Sequence, residues 1–180
     1  MSEEPGLGEV LYQILDRYPS PKRIGKKREY KTINTDPDLL ELVTDTAERA
    51  IERALGEYKS NFHVRPTMGQ GDMGDIPYIP VQLPTETETT QKGIYVVYLF
   101  DAEAGQLYLT LNQGATEAQR ASGLINGAPY TGEILTSHAE MYRSLVDCPD
   151  GFSPDSADLT EEVTVNGQVE DVRRAERYNA

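Results

Sequence analysis

Residues 93–100, GIYVVYLF, have fewer structural options than any other segment of the chain. The run is dense in β-branched and aromatic side chains, which suit a pleated strand and crowd a helix. The next apolar run, Leu107 to Leu111, follows after DAEAGQ, the spacing of a hairpin turn. Upstream, Ile76 to Leu83 carries Ile76, Tyr78, Ile79, Val81 and Leu83, with Pro77 and Pro80 inside. Two prolines exclude a regular central strand, so this one is expected at an edge or bent. Phe62 to Arg65 alternates weakly, and TETETT (residues 85–90) reads as a polar loop tip.

Helices precede and follow these strands. Leu7 to Tyr18 places Leu7, Val10, Leu11, Ile14 and Leu15 on one face, and Pro19 and Pro21 end it. Residues 35–60 read as a second helix. Thr35 or Asp36 can cap it, and Pro37 suits its first turn. Leu39, Leu40, Val43, Ala47, Ala50, Ile51, Ala54 and Tyr58 form its apolar stripe. Thr116 with Gln119 fits a capping box for a helix from Glu117, interrupted by Gly123 and Gly127. A further helix is expected over Thr136 to Val146, with Leu135, Ala139, Tyr142 and Leu145 on one side. Asn166-Gly167, flanked by EVTV and QVEDV, signals a hairpin. The expected class is α+β: one domain over residues 1–180, with a central, twisted, mainly antiparallel or mixed sheet flanked by helices.

Charge narrows the function classes. The net charge is −13, Tyr supplies most of the aromatic area, and Trp is absent. High acid with little Lys and modest hydrophobicity suggests salt adaptation; the other reading is an acidic protein of ordinary salt. An acidic chain is poorly suited to neutralising phosphates, although strong salt shrinks the counterion-release term for any DNA binder. Against this background PKRIGKKREY and the residue after it form a local reversal, holding Lys22, Arg23, Lys26, Lys27, Arg28 and Lys31. They form either a solvated loop offsetting nearby acids or a phosphate-contacting strip. Cys148 is the only cysteine, and His63 and His138 are the only histidines, so neither a disulfide nor a His/Cys metal centre is expected. No apolar run reaches the length of a membrane span, and the N-terminus lacks the pattern of a signal peptide. The expected location is the cytoplasm, with no membrane partner and no cofactor.

Four blocks in order carry a family resemblance. They are Met68-Gly69-Gln70-Gly71, Ile76-Pro77-Tyr78-Ile79, the strand from Gly93 to Phe100, and Leu107 to Gly114. Together they resemble the Gly-x-Gly loop, the Ile-Pro-Trp-like block, the Gly-Ile/Val-Tyr-x-Val-x-Leu strand and the following strand and turn of one family. That family is the MrcB-like N-terminal domain of McrB-type modified-cytosine restriction systems. The resemblance is strongest over residues 35–145. It implies a phage-defence reader of duplex DNA that flips a modified base, such as 5-methylcytosine, into an aromatic pocket. By position, Tyr78, Tyr95 and Leu99 would wall the pocket. Gly69, Gln70 and Gly71 would form the loop that probes the duplex. The best-known relative has an aromatic loop tip, so Gln70 favours hydrogen-bonding to the orphaned guanine over a stacked wedge. The basic strip and Arg65 would touch phosphates.

Each of these residues also has a plainer reading. Tyr95 and Leu99 are four apart in a strand, so they share a face, as ordinary core residues do. Tyr78 would pack at a sheet edge, and the glycine loop would be a turn, since no Gly-Lys-Ser/Thr follows it. No nucleophile elbow, Cys–His pairing or nucleotide loop is present, so no catalytic residue is named. NTP hydrolysis and DNA cleavage are expected on partner modules of a restriction complex. The alternative to a reader is an assembly module of such a system without a base pocket.

Overall fold

A computed structural model describes residues 4–18, 36–68, 76–102, 104–114, 116, 120, 129–145, 147–152, 161–165 and 168–172. The class is α+β, with a four-stranded antiparallel sheet, as expected. Contacts divide the chain into two compact units: residues 1–88 with 95–111, and residues 89–94 with 112–180.

The first unit begins with α1 (Leu7–Arg17), whose Val10, Leu11 and Ile14 are buried. Tyr18 leaves the helix in an extended conformation while its N–H still reaches Ile14 O at 2.9 Å. The residue before a proline is sterically barred from helical geometry, and Pro19 enforces the stop. A second helical run starts at α2 (Pro37–Glu41). Of the two cap candidates it is Asp36 that serves: its Oδ1 accepts from Leu39 N–H at 3.0 Å. A π-helical turn (Leu42–Thr46) follows, where Thr44 Oγ1 donates to Leu40 O at 2.9 Å. α3 (Ala47–Leu55) then ends at Gly56, whose φ of 58° only glycine adopts without strain.

The buried stripe is Leu39, Leu42, Val43, Ala47, Ala50 and Ile51. It differs from the expected stripe in four places. Leu42 joins it, Leu40 is only half-buried, Ala54 is exposed, and Tyr58 is 59% exposed. Tyr58 fails because Gly56 turns the chain into a 3-10 segment (Gly56–Asn61), so the helical phase does not continue to it.

The sheet comprises β1 (His63–Val64), β2 (Tyr78–Gln82), β3 (Ile94–Asp101) and β4 (Gln106–Gln113), in the order β1-β2-β3-β4. β2 is therefore not an edge strand, which corrects the expectation from its prolines. The register explains how they are tolerated. Pro80 C=O accepts from Arg65 N–H at 3.1 Å, and a strand residue's N–H and C=O point the same way. The missing donor of Pro80 thus faces β1, not β3. Arg65 C=O lacks a return bond, and β1 stops at Val64. The β2–β3 ladder stays intact, with Ile79 opposite Tyr98 and Val81 opposite Val96.

Register partners share a face. Ile79, Val81, Val96, Tyr98, Phe100 and Val64 face the helices and join their cluster. Each large side chain buried there contributes about 1.5–3 kcal/mol. Burial raises the Tyr98 hydroxyl above the usual tyrosine range.

In the second unit, α4 runs over Pro129–Leu145 and so starts at Pro129 rather than Thr136. A proline with preset φ suits a first turn. Leu135 is buried, Ala139 and Tyr142 are half-buried, and Leu145, the last residue, is 73% exposed, against expectation. Gln113 Nε2 donates to Leu135 O at 2.7 Å. β5 (Glu161–Val165) and β6 (Gln168–Val172) pair antiparallel with Val165 opposite Gln168, as the Asn-Gly signal predicts. The helix expected from Glu117 lies mostly outside the described residues.

Candidate nucleic-acid interface

The face of β2 and β3 turned away from α1, α2 and α3 carries all three pocket candidates. Tyr78 is opposite Leu99, and Pro80 is opposite Val97. Phe100 N–H bonds Pro77 C=O at 3.1 Å. This makes Tyr78–Leu99, one residue further along, a non-hydrogen-bonded pair, the type whose side chains lie closest. Tyr95 shares the face, four residues before Leu99. Continuing the register by one residue past Val81–Val96 sets Tyr95 opposite Gln82.

The result is a rectangle. Tyr78 and Leu99 form one end, Tyr95 and Gln82 the other, and Pro80 with Val97 the floor between. The ends are about 13 Å apart along the strands. Val97 and Leu99 are each 1% exposed and Tyr95 is 8% exposed, so this face is covered in the structure. Tyr78 alone of the three is half-buried.

Gln82 is the residue that sequence reasoning missed. It is 1% exposed, and its Nε2 has no hydrogen-bond partner among the described residues. An unmet buried amide donor costs roughly 1–3 kcal/mol. Thr110 Oγ1 on β4 is buried and unpartnered in the same sense. Gly114 N–H bonds Gly93 C=O at 2.9 Å. Counting back along these equal-length strands puts Thr110 opposite Val97, on the same face. The available signal was a single amide in an otherwise apolar strand, IPYIPVQL.

Residues 68 and 76, on either side of the segment that holds Gly69, Gln70 and Gly71, are described. Gly69, Gln70 and Gly71 lie outside the described residues. Thr67 forms an antiparallel bridge with Tyr78, and its N–H reaches Tyr78 O at 3.4 Å. Met68 is 3% exposed within the helix-facing core, and Pro77 is buried. Both ends of the loop are therefore anchored beside the Tyr78–Leu99 pair.

Of the cations that the resemblance assigns to phosphates, only Arg65 is among the described residues. Arg65 is exposed, but its Nη1 donates to Glu88 O at 2.8 Å and its Nη2 lies 3.2 Å from His63 Nδ1. Lys22, Arg23, Lys26, Lys27, Arg28 and Lys31 lie outside the described residues. Arg17, Arg49 and Arg53 line a groove elsewhere in the first unit, together with Glu4, Asp38 and Glu41. Arg17 pairs with Asp36 at 3.6 Å, and Arg53 pairs with Glu4. Its mixed signs make it a poor phosphate site.

Among the described residues no cluster of three His, Cys, Asp or Glu could hold a metal, and no helix is long and apolar enough to cross a membrane. A family model described as "MrcB-like, N-terminal domain" matches residues 17–173, extending past the resemblance over 35–145 at both ends. No curated protein and no solved structure matches the chain.

Proposed function

The chain belongs to the MrcB-like N-terminal domain family, modules of McrB-type restriction systems, and from that membership we propose that it reads modified cytosine in duplex DNA. The reading is of a base swung out of the stack and held on the face of β2 and β3 that carries Tyr78, Tyr95 and Leu99. Tyr78 and Tyr95 supply the flat walls, Leu99 and Val97 the apolar backing, and the loop through Gly69, Gln70 and Gly71 probes the gap in the duplex. Basic residues from Lys22 to Lys31, with Arg65, contact phosphates. The chain itself performs no chemistry in this reading; NTPase and nuclease modules of the complex act on the DNA it selects. The setting is phage defence in the cytoplasm.

One observation carries the reading: the Thr67–Tyr78 bridge roots the glycine loop directly beside the Tyr78–Leu99 pair. Base extrusion needs a finger at the gap and a pocket within reach of it, and this geometry supplies adjacent starting points for both. The energetics are compatible. Stacking on an aromatic ring is worth about 1–3 kcal/mol per base, comparable to the few kcal/mol spent on unstacking. Since Tyr95 is 8% exposed, a base enters only after this face opens, and the affinity is reduced by the fraction of molecules open.

The test is a titration against matched duplexes with and without 5-methylcytosine, at low and high salt. A reader prefers the modified duplex, and Tyr95→Ala removes that preference. The near-complete burial of Leu99 and Tyr95 favours one other reading, an assembly module with no base pocket. Such a module would bind both duplexes equally or not at all.

A further inference from the structure

Gln82 is buried on the sheet face that carries Tyr78 and Tyr95, and its amide Nε2 has no hydrogen-bond partner among the described residues. It ends a strand whose other buried side chains are apolar or proline. His63 on β1 is opposite it on one side, and continuing the β2–β3 register by one residue sets Tyr95 opposite it on the other. The Tyr95 pair is of the close, non-hydrogen-bonded kind. Folding has stripped this amide of water without giving its Nε2 an acceptor among the described residues. A group maintained in that state is understandable if its acceptor arrives with a ligand.

We infer that Gln82 reads the hydrogen-bonding edge of the extruded cytosine. The inference rests on the base-capture reading and adds to it a specificity-determining residue. Cytosine presents two acceptors, O2 and N3, next to one donor, the N4 amino group. A glutamine amide presents the complement: Nε2 donates to N3 or O2, while Oε1 accepts from N4. The position fits this role. Gln82 closes the same end of the rectangle as Tyr95, so a ring stacked on Tyr95 turns one edge toward β2. Thr110 Oγ1, beyond Val97 on the same face, is a second unmet hydroxyl available to that ring or its substituent. Tyr78 and Tyr95 recognise only that a ring is present, whereas Gln82 recognises which edge it carries.

The experiment compares wild type with Gln82→Met and Gln82→Glu. Methionine keeps the length of the side chain and removes both polar atoms. Glutamate keeps the shape and, ionised, only accepts. Each protein is melted, then titrated with three duplexes identical except at one position: 5-methylcytosine, cytosine or an abasic site. Both variants are expected to lose about tenfold or more in affinity for the 5-methylcytosine duplex, the equivalent of one or two hydrogen bonds. Binding to the abasic duplex, which has no edge to read, should not change. Gln82→Met should melt at or above the wild-type temperature, because it removes a buried donor that nothing satisfies.

Three results would overturn the inference, and they differ from one another. If wild type prefers 5-methylcytosine and Gln82→Met prefers it equally, the edge is read elsewhere and base capture stands. If Gln82→Met melts several degrees lower while Gln82→Glu keeps full affinity, Gln82 is a structural residue. If wild type shows no preference among the duplexes, base capture fails and this role fails with it.

Discussion

The two faces of the β2–β3 ladder are built from the same two strands to different standards. The face toward the helices carries Ile79, Val81, Val96, Tyr98 and Phe100, and its polar content is little more than the Tyr98 hydroxyl. The opposite face carries Tyr78, Gln82 and Tyr95 around Pro80 and Val97, and it includes a buried donor with no partner among the described residues. Alternation along a strand guarantees two faces but says nothing of what each is for. An unmet buried amide adds nothing to stability, and the proposed base capture would give this face a task that the helix-facing one lacks.

Four substitutions test that division, in descending order of effect. Phe100→Ala empties the centre of the helix-facing core and should cost about 3–5 kcal/mol, read by urea unfolding. A loss under about 1 kcal/mol would mean the stabilising face is misidentified. Tyr95→Ala should cost less in stability, yet remove about 1–3 kcal/mol of stacking from binding to a modified duplex. If it unfolds the protein as severely as Phe100→Ala, the two faces are equivalent and the division is wrong. Asp36→Ala removes the cap on the helical run and should cost about 1 kcal/mol in the melt, leaving the duplex preference untouched. A changed preference would show that the helical layer and the face that carries Tyr78 and Tyr95 are energetically linked.

The smallest effect concerns the outer surface of the helical layer. Burial first, then the charges of Glu52 and Asp45, raise the Glu48 carboxyl above the usual carboxylate range, with Arg49 partly opposing. The folded state then takes up this proton more readily than the unfolded state. Stability from this group is greatest at low pH and falls as pH rises from the ordinary glutamate value through the raised one. Glu48→Gln should flatten that part of the stability–pH curve and weaken stabilisation by added salt, which screens the three acids. A curve that keeps its slope would assign the dependence to other carboxylates of this −13 chain.

Much of the scaffold was legible because it depends on local chemistry. Asp36 and Pro37 announce the start of the helical run, GIYVVYLF announces a strand, and Asn-Gly announces the last hairpin. The misreadings had tertiary causes. Tyr58 continued the apolar periodicity on paper, but a positive φ at Gly56 redirected the chain. The prolines of β2 suggested an edge, yet an edge partner of two residues was enough to take the missing donor. Of the site, the resemblance nominated Tyr78, Tyr95 and Leu99, and the register shows them on one face. Gln82 had only a lone amide in an apolar strand as its local signal, because what sets it apart is a buried donor without a partner among the described residues.

By itself, then, the sequence determined where the first two helical runs begin, the β3 strand, the last hairpin, the −13 charge and the family. Caps, prolines, β-branching and composition act over a few residues or over none. Which strand lies between which, which side chains share a face, and which buried donor lacks an acceptor were decided only by the tertiary structure. Those properties belong to pairs of residues far apart in the chain, and no local rule fixes a pairing until the register is set.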